Sequence, residues 1–163
     1  MPSGPHIHVR QLEIGDFEFV RELAAKQANF TVPPPYVLWL LLRIKDAVCL
    51  VAEHSSDGPL AYLLAVPVEA PSKALFVWQL AVSKSDAHSQ AMTALVSEIH
   101  LISRRLRIST VAFSAVPGSP QYRAIRQCIR RIAATSPEAR AVLPLVVSRN
   151  ETEYQVRLRT KNT

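Results

Sequence analysis

The stretch from Ala74 to Ala115 constrains the fold more than any other part of the chain. An apolar run, ALFVWQLAV, passes through the polar loop SKSD into a segment that spaces Met92, Leu95, Val96, Ile99, Ile102 and Leu106 by three and four, and then into a second run, STVAFSAV. That spacing predicts an amphipathic helix with one buried stripe. A helix joining two strands of one sheet implies that they pair in parallel through a right-handed crossover. The strand-to-helix joint is also a natural anion site, because the first N–H groups of a helix lack intrahelical partners and its dipole favours negative charge. Yet the loop between Ser83 and Gln90, SKSDAHSQ, contains no glycine and carries Asp86.

The flanking segments surround this unit with antiparallel pairing. IHVRQLE alternates apolar and polar residues and reads as a strand; Asp16 is then placed to cap a helix with Phe17, Val20, Leu23 and Ala24 on one face. Three prolines precede YVLWLLL, so a second helix should begin near Pro35. AVCLVAEH and LAYLLAVPV form a hairpin across the turn signal SSDGPL, and APSK turns into ALFVWQLAV. After STVAFSAV come a turn (PGS), a helix with Ile125, Cys128, Ile129 and Ile132 inward, and the strands VLPLVVS and EYQVRLR. The fold class is α/β (α+β), a mixed, mostly antiparallel sheet of about six to seven strands with helices on both faces.

With 163 residues, 48% of them hydrophobic and 20% charged, the chain suits one domain spanning 1–163, with its core over about 7–160. A formal charge of +6 suits anionic small molecules, cofactor phosphates or nucleic acid. Nucleic acid ranks last, because the basic clusters SRRLR and RAIRQCIRR contain no interleaved aromatics. YVLWLLL is far shorter than the roughly 20 apolar residues of a membrane span, and the start of the chain lacks a signal pattern. A cytoplasmic protein with no membrane partner is expected. Cys49 and Cys128 have no metal-like companions, so free thiols and no metal are expected.

The blocks PPPYVLWLLL, VCLVAEH, LFVWQLAV, VPGSPQYRAI and NETEYQVRL resemble, in that order, those of the L-2,4-diaminobutyrate acetyltransferase family of ectoine biosynthesis, within the GNAT acyltransferases. The resemblance covers Val9 to Leu158, and FVWQLAV is its most specific piece. It implies an N-acetyltransferase that moves an acetyl group from acetyl-CoA to a primary amine of a small diamino acid. The pantetheine arm would lie along Trp78 to Val82, at a point where the fourth and fifth strands diverge, with the backbone of Leu80 and Ala81 facing the thioester carbonyl. Val82, Lys84, His88, Ser89, Gln90 and Ala91 would complete the cofactor side. Thr31, Tyr36, Trp78, Gln79, Ser119, Glu151 and Glu153 would form the substrate side. No catalytic side chain is assigned, and a small-molecule amine is the implied partner; a homodimer is compatible.

The chain also departs from these patterns. The superfamily loop Q/R-x-x-G-x-G/A uses glycine for close approach to phosphate, whereas Ala87, His88, Ser89, Gln90 and Ala91 fill those positions. Thr31 stands where the family has aspartate, Ser119 where it has asparagine, and Arg126 where a general-acid tyrosine is common elsewhere in the superfamily. A second reading is therefore a GNAT-fold protein that has lost acetyl-CoA binding and acts as a scaffold. Each candidate has a bland counterpart. Trp78 could be core, Tyr36 a core anchor, Glu53 a solvated strand end, and Glu151 with Glu153 plain surface charge. Strict alternation would send Trp78 and Gln79 to opposite faces.

Overall fold

The structure, a computed structural model, describes residues 6–27, 30–69, 73–85, 87–108, 110–119, 122–123, 126–127, 139–146 and 152–158. Its strands are β1 (Ile7–Gln11), β2 (Val48–His54), β3 (Gly58–Val68), β4 (Ala74–Val82), β5 (Thr110–Ala115), β6 (Ala139–Val146) and β7 (Thr152–Leu158). Its helices are α1 (Phe17–Ala25), α2 (Pro35–Leu41) and α3 (His88–Arg105), with a 3-10 turn at Ile14–Asp16 before α1. The strands form one seven-stranded sheet in the order β1-β2-β3-β4-β5-β7-β6. Among the described residues only β4 and β5 pair in parallel; every other neighbouring pair is antiparallel. The crossover through α3 therefore stands as the spacing implied.

Helices cover both faces. On one, α3 buries Ala91, Met92, Leu95, Val96 and Ile99 against Leu50, Ala52, Leu63, Val77 and Leu80. On the other, Val20, Leu23 and Ala24 of α1 and Leu38 and Leu41 of α2 meet Cys49, Val51, Tyr62, Leu64 and Ala81. Each fully buried aliphatic side chain of this kind contributes roughly 1.5–3 kcal/mol. α2 begins at Pro35, whose missing N–H costs nothing in a first turn. The β2–β3 hairpin turns at Gly58, which adopts a φ of 75° that only glycine takes freely.

Asp16 departs from its expected role. It precedes α1 but makes no side-chain cap there. Its carboxylate instead accepts two hydrogen bonds from the Arg10 guanidinium, at 2.7 and 2.9 Å, and one from the Glu13 N–H. The guanidinium outcompetes a cap because it offers two parallel bonds and a full opposite charge, where a cap offers one backbone N–H. Residues 122–123 and 126–127 are helical, as expected after the PGS turn. Ile125, Cys128, Ile129 and Ile132 lie outside the described residues.

Candidate active site

β4 is paired on both sides only over its first half. Ala74, Leu75, Phe76 and Val77 align with Thr110, Val111, Ala112 and Phe113 of β5, and there the parallel ladder stops. β3 continues to pair with β4 as far as Val82, while β5 runs on through Ser114 and Ala115 beside β7. The two strands therefore part after Val77, leaving a split inside the sheet. Along β4 every second N–H points away from β3, and in this half those groups face the split rather than a ladder partner.

A bulge sits at the same place. The β3–β4 register steps from Leu64↔Gln79 to Ala65↔Val77, so Trp78 is the extra residue on β4. The consequence corrects the alternation read from the sequence. Val77 and Leu80 face the α3 core, whereas Trp78 packs against the α1–α2 core. Gln79 turns to that same face, opposite Leu64, and bonds to Tyr62. A bulge inserts one residue and resets the period of two.

Gln79 is 3% exposed. The Tyr62 hydroxyl donates to its Oε1 at 2.9 Å, and its Nε2 donates to the Thr31 carbonyl oxygen at 2.7 Å. Burial pushes the Tyr62 hydroxyl well above the ordinary tyrosine range, so it stays a donor at any physiological pH. Tyr62 was not singled out from sequence. A tyrosine within the apolar run LAYLLAV was the available signal, since a buried hydroxyl demands a partner.

The loop after β4 is tied back to the sheet: Ser83 N–H and Oγ both donate to the Leu60 carbonyl at 2.8 Å. His88 opens α3, with its N–H on the Ser85 carbonyl and its Nδ1 3.3 Å from the Ser83 carbonyl. The residue at the N-cap position of this helix, Ala87, supplies no side-chain cap. Lys84, His88, Ser89 and Gln90 are exposed around it. Leu80, Ala81, Val82 and Ala91 are buried, and Ala91 lets the first turn of α3 sit close on the sheet.

The substrate-side candidates fall at several places. Thr31 lies in the segment between α1 and α2, its side chain exposed and its carbonyl held by Gln79. Tyr36 is 65% exposed in the first turn of α2. Ser119 acts as a cap: its Oγ accepts the Tyr122 N–H at 3.1 Å and donates to the Val116 carbonyl at 2.6 Å. Glu153 is aligned in β7 with Ser114, at the end of β5 that has left β4. Glu151 lies outside the described residues. Glu53 is held by Arg10 at 3.0 Å rather than solvated alone, and Arg126 sits over the Tyr122 ring at 5.5 Å. Cys49 is a buried thiol, pushed up to about 11 by burial. A separate cavity of about 460 Å³ opens where the end of β1, the start of β2 and the last turn of α3 meet; Cys49 lines it, and none of the substrate-side or cofactor-side candidates does.

No protein-family model and no curated protein matches the chain. Solved structures do. Diaminobutyrate acetyltransferase EctA from Paenibacillus lautus, solved with L-2,4-diaminobutyric acid and coenzyme A, superposes with a TM-score of 0.71 at 19% identity, over 95% of this chain and 96% of that one. A spermidine N-acetyltransferase SpeG chimera from Vibrio cholerae and hSSAT gives 0.64 at 11% identity, over 93% and 95%. YncA from Salmonella typhimurium, solved with acetyl-CoA, gives 0.65 at 12% identity, over 96% of each chain. The fold is that of the GNAT acetyltransferases. Among the described residues no helix is long and apolar enough to cross a membrane.

Proposed function

We propose that the protein is an N-acetyltransferase that transfers an acetyl group from acetyl-CoA to a primary amine of a small diamino acid. The observation that carries this reading is the split after Val77, where Leu80 and Ala81 belong to a strand half with no partner on its β5 side. An extended arm bearing amide groups can pair with such an edge as a missing strand would, and an outward N–H can polarise a thioester carbonyl. In this reading the pyrophosphate meets the start of α3, where Lys84 and His88 supply the nearby basic groups. Asp86 lies outside the described residues.

The reaction needs no covalent enzyme intermediate. The neutral amine nitrogen attacks the thioester carbonyl carbon, a C–N bond forms, and the oxygen takes up negative charge facing the β4 N–H. The C–S bond then breaks, and coenzyme A leaves as its thiol with the proton released by the amine. For a diamino acid the second ammonium needs an anion. Glu153, at the start of β7, and Glu151, two residues before it in sequence, are proposed for that role, with Tyr36, Trp78 and the Ser119 turn forming the remaining walls. The solved neighbours named above with diaminobutyrate or spermidine in their descriptions give the amine class further support.

The test is acetyl-CoA-dependent release of thiol with 2,4-diaminobutyrate, spermidine and a monoamine as competing acceptors, alongside calorimetric binding of acetyl-CoA. Fastest turnover with the diamino acid is the expected outcome. Binding without transfer to any amine, or no binding, would overturn the reading.

A further inference from the structure

One buried polar cluster near the split takes no part in the chemistry just described. Tyr62 is 0% exposed in the middle of β3, and Gln79 is nearly as deep on the bulged strand. Both ends of the Gln79 amide are engaged, its oxygen by the Tyr62 hydroxyl and its nitrogen by the Thr31 carbonyl. A side chain so occupied and so buried is poorly placed to hold a diffusible substrate. What it holds is backbone.

That backbone belongs to neither strand nor helix. Thr31 lies in the segment entering α2, where Phe30 and Val32 pack on the α1–α2 core. Pro33, Pro34 and Pro35 follow and supply no N–H donors, so the segment can build little hydrogen bonding of its own. Among the described residues, Gln79 is the side chain that hydrogen-bonds it to the sheet. The bulge is what makes this possible: with regular alternation, only one of Trp78 and Gln79 could face the α1–α2 side, whereas here both do.

We propose that Gln79 is a positioning residue, a latch that fixes the α1–α2 segment over the bulge of β4 and thereby sets affinity for the acceptor amine. The proposal rests on the acetyltransferase reading above. It separates two affinities, because the latch lies on the α1–α2 face whereas α3, whose start meets the cofactor phosphates in that reading, packs on the opposite face. Loosening the latch should affect the acceptor and spare acetyl-CoA.

The experiment compares the parent with Gln79→Met, which keeps length and loses both bonds, with Tyr62→Phe, which loses one, and with Gln79→Glu. Hydrogen exchange is followed across residues 30–38 and across α3, and acceptor KM, kcat and acetyl-CoA Kd are measured with 2,4-diaminobutyrate as the probe. In Gln79→Met, exchange in 30–38 should rise about ten-fold or more with α3 unchanged, and acceptor KM should rise about ten-fold while kcat and Kd move less than about two-fold. Tyr62→Phe should shift the same readouts less. Gln79→Glu should regain protection as the pH is lowered, because a neutral carboxyl can accept from Tyr62 and donate to Thr31; the Met variant should not regain it. Parent-like exchange in Gln79→Met, or raised exchange with unchanged KM, would overturn the latch. A parent that transfers to no amine would sink the acetyltransferase reading instead, and the exchange arm would still decide whether the segment is latched. Should Gln79→Met fail to fold, parent-like exchange in Tyr62→Phe would overturn the proposal.

Discussion

The two halves of β4 differ in one respect that matters. Ala74–Val77 has a strand on each side, β3 and β5; Gln79–Val82 keeps β3 alone. Apart from Gln79 both halves are apolar, and both are buried on at least one face, so side-chain chemistry does little to distinguish them. What differs is the neighbour. β5 leaves β4 after Phe113, and the bulge at Trp78 re-aims the strand at the same rung. A sheet can thus carry a binding edge in its interior, where packing from both faces holds it rigid, simply by withholding one partner strand.

The sharpest way to break this contrast is to remove its hinge. Phe113 is fully buried and sits on the last paired rung, opposite Val77. Phe113→Ala should cost about 3–5 kcal/mol of stability by urea denaturation, the range for deleting a buried aromatic ring. Trp78→Ala, on the half-buried bulge, should cost about half as much yet lower acetyl transfer more, since the open half is where the reaction is proposed to occur. Equal losses of stability and activity in the two variants would erase the distinction.

A change away from β4 should leave the contrast intact. Arg10 holds the buried Asp16 and also Glu53, on the β1–β2 flank. Arg10→Met should cost about 1.5–3 kcal/mol near neutral pH, by leaving Asp16 without its charged partner, while acetyl-CoA binding stays as in the parent. Asp16 is held below its ordinary value of 3.8, chiefly by the Arg10 hydrogen bonds. A depressed carboxyl stabilises the folded state above its unfolded pKa and loses that contribution as pH falls through the folded one. The gap between parent and variant should therefore narrow in urea titrations below pH 3.8. A gap that stays constant there would show that Arg10 acts through packing alone.

The loop after β4 sharpens the comparison by a smaller amount. Ser85→Arg, His88→Gly and Gln90→Gly together restore the R-x-x-G-x-G spacing of the superfamily pattern, and acetyl-CoA should then bind about ten-fold more tightly, or about 1.4 kcal/mol. Calorimetry beside the parent reads this directly, with circular dichroism to show that α3 is retained. Unchanged affinity would mean that the glycine-free loop already cradles phosphate.

Much of the architecture is legible in the sequence. The three-and-four spacing from Met92 to Ile102 marked α3, the prolines before Tyr36 marked α2, and SSDG marked the hairpin that turns at Gly58. These signals are local, so sequence spacing carries them. The misses were set by tertiary partners. Strict alternation put Trp78 and Gln79 on opposite faces, because nothing in VWQ announces a bulge. Asp16 reads as a cap in sequence, because the pairing that claims it depends on how Arg10 of β1 is aimed in the folded sheet. Ser103, buried on α3, bonds back to the Ile99 carbonyl at 2.7 Å and so enters the core unannounced. Of the candidate site, the strand edge at Leu80 and Ala81 could be inferred from FVWQLAV, whereas the Tyr62–Gln79–Thr31 chain spans three distant segments and no motif records it.

The central claim is that the open half of β4 receives an extended ligand arm, and backbone hydrogen exchange with and without acetyl-CoA tests it most directly. Protection should rise about ten-fold or more across residues 79–82 on adding acetyl-CoA, with residues 74–77, already paired on both sides, unchanged. Bound acetyl-CoA with no added protection at 79–82, or protection spread evenly along β4, would contradict the account.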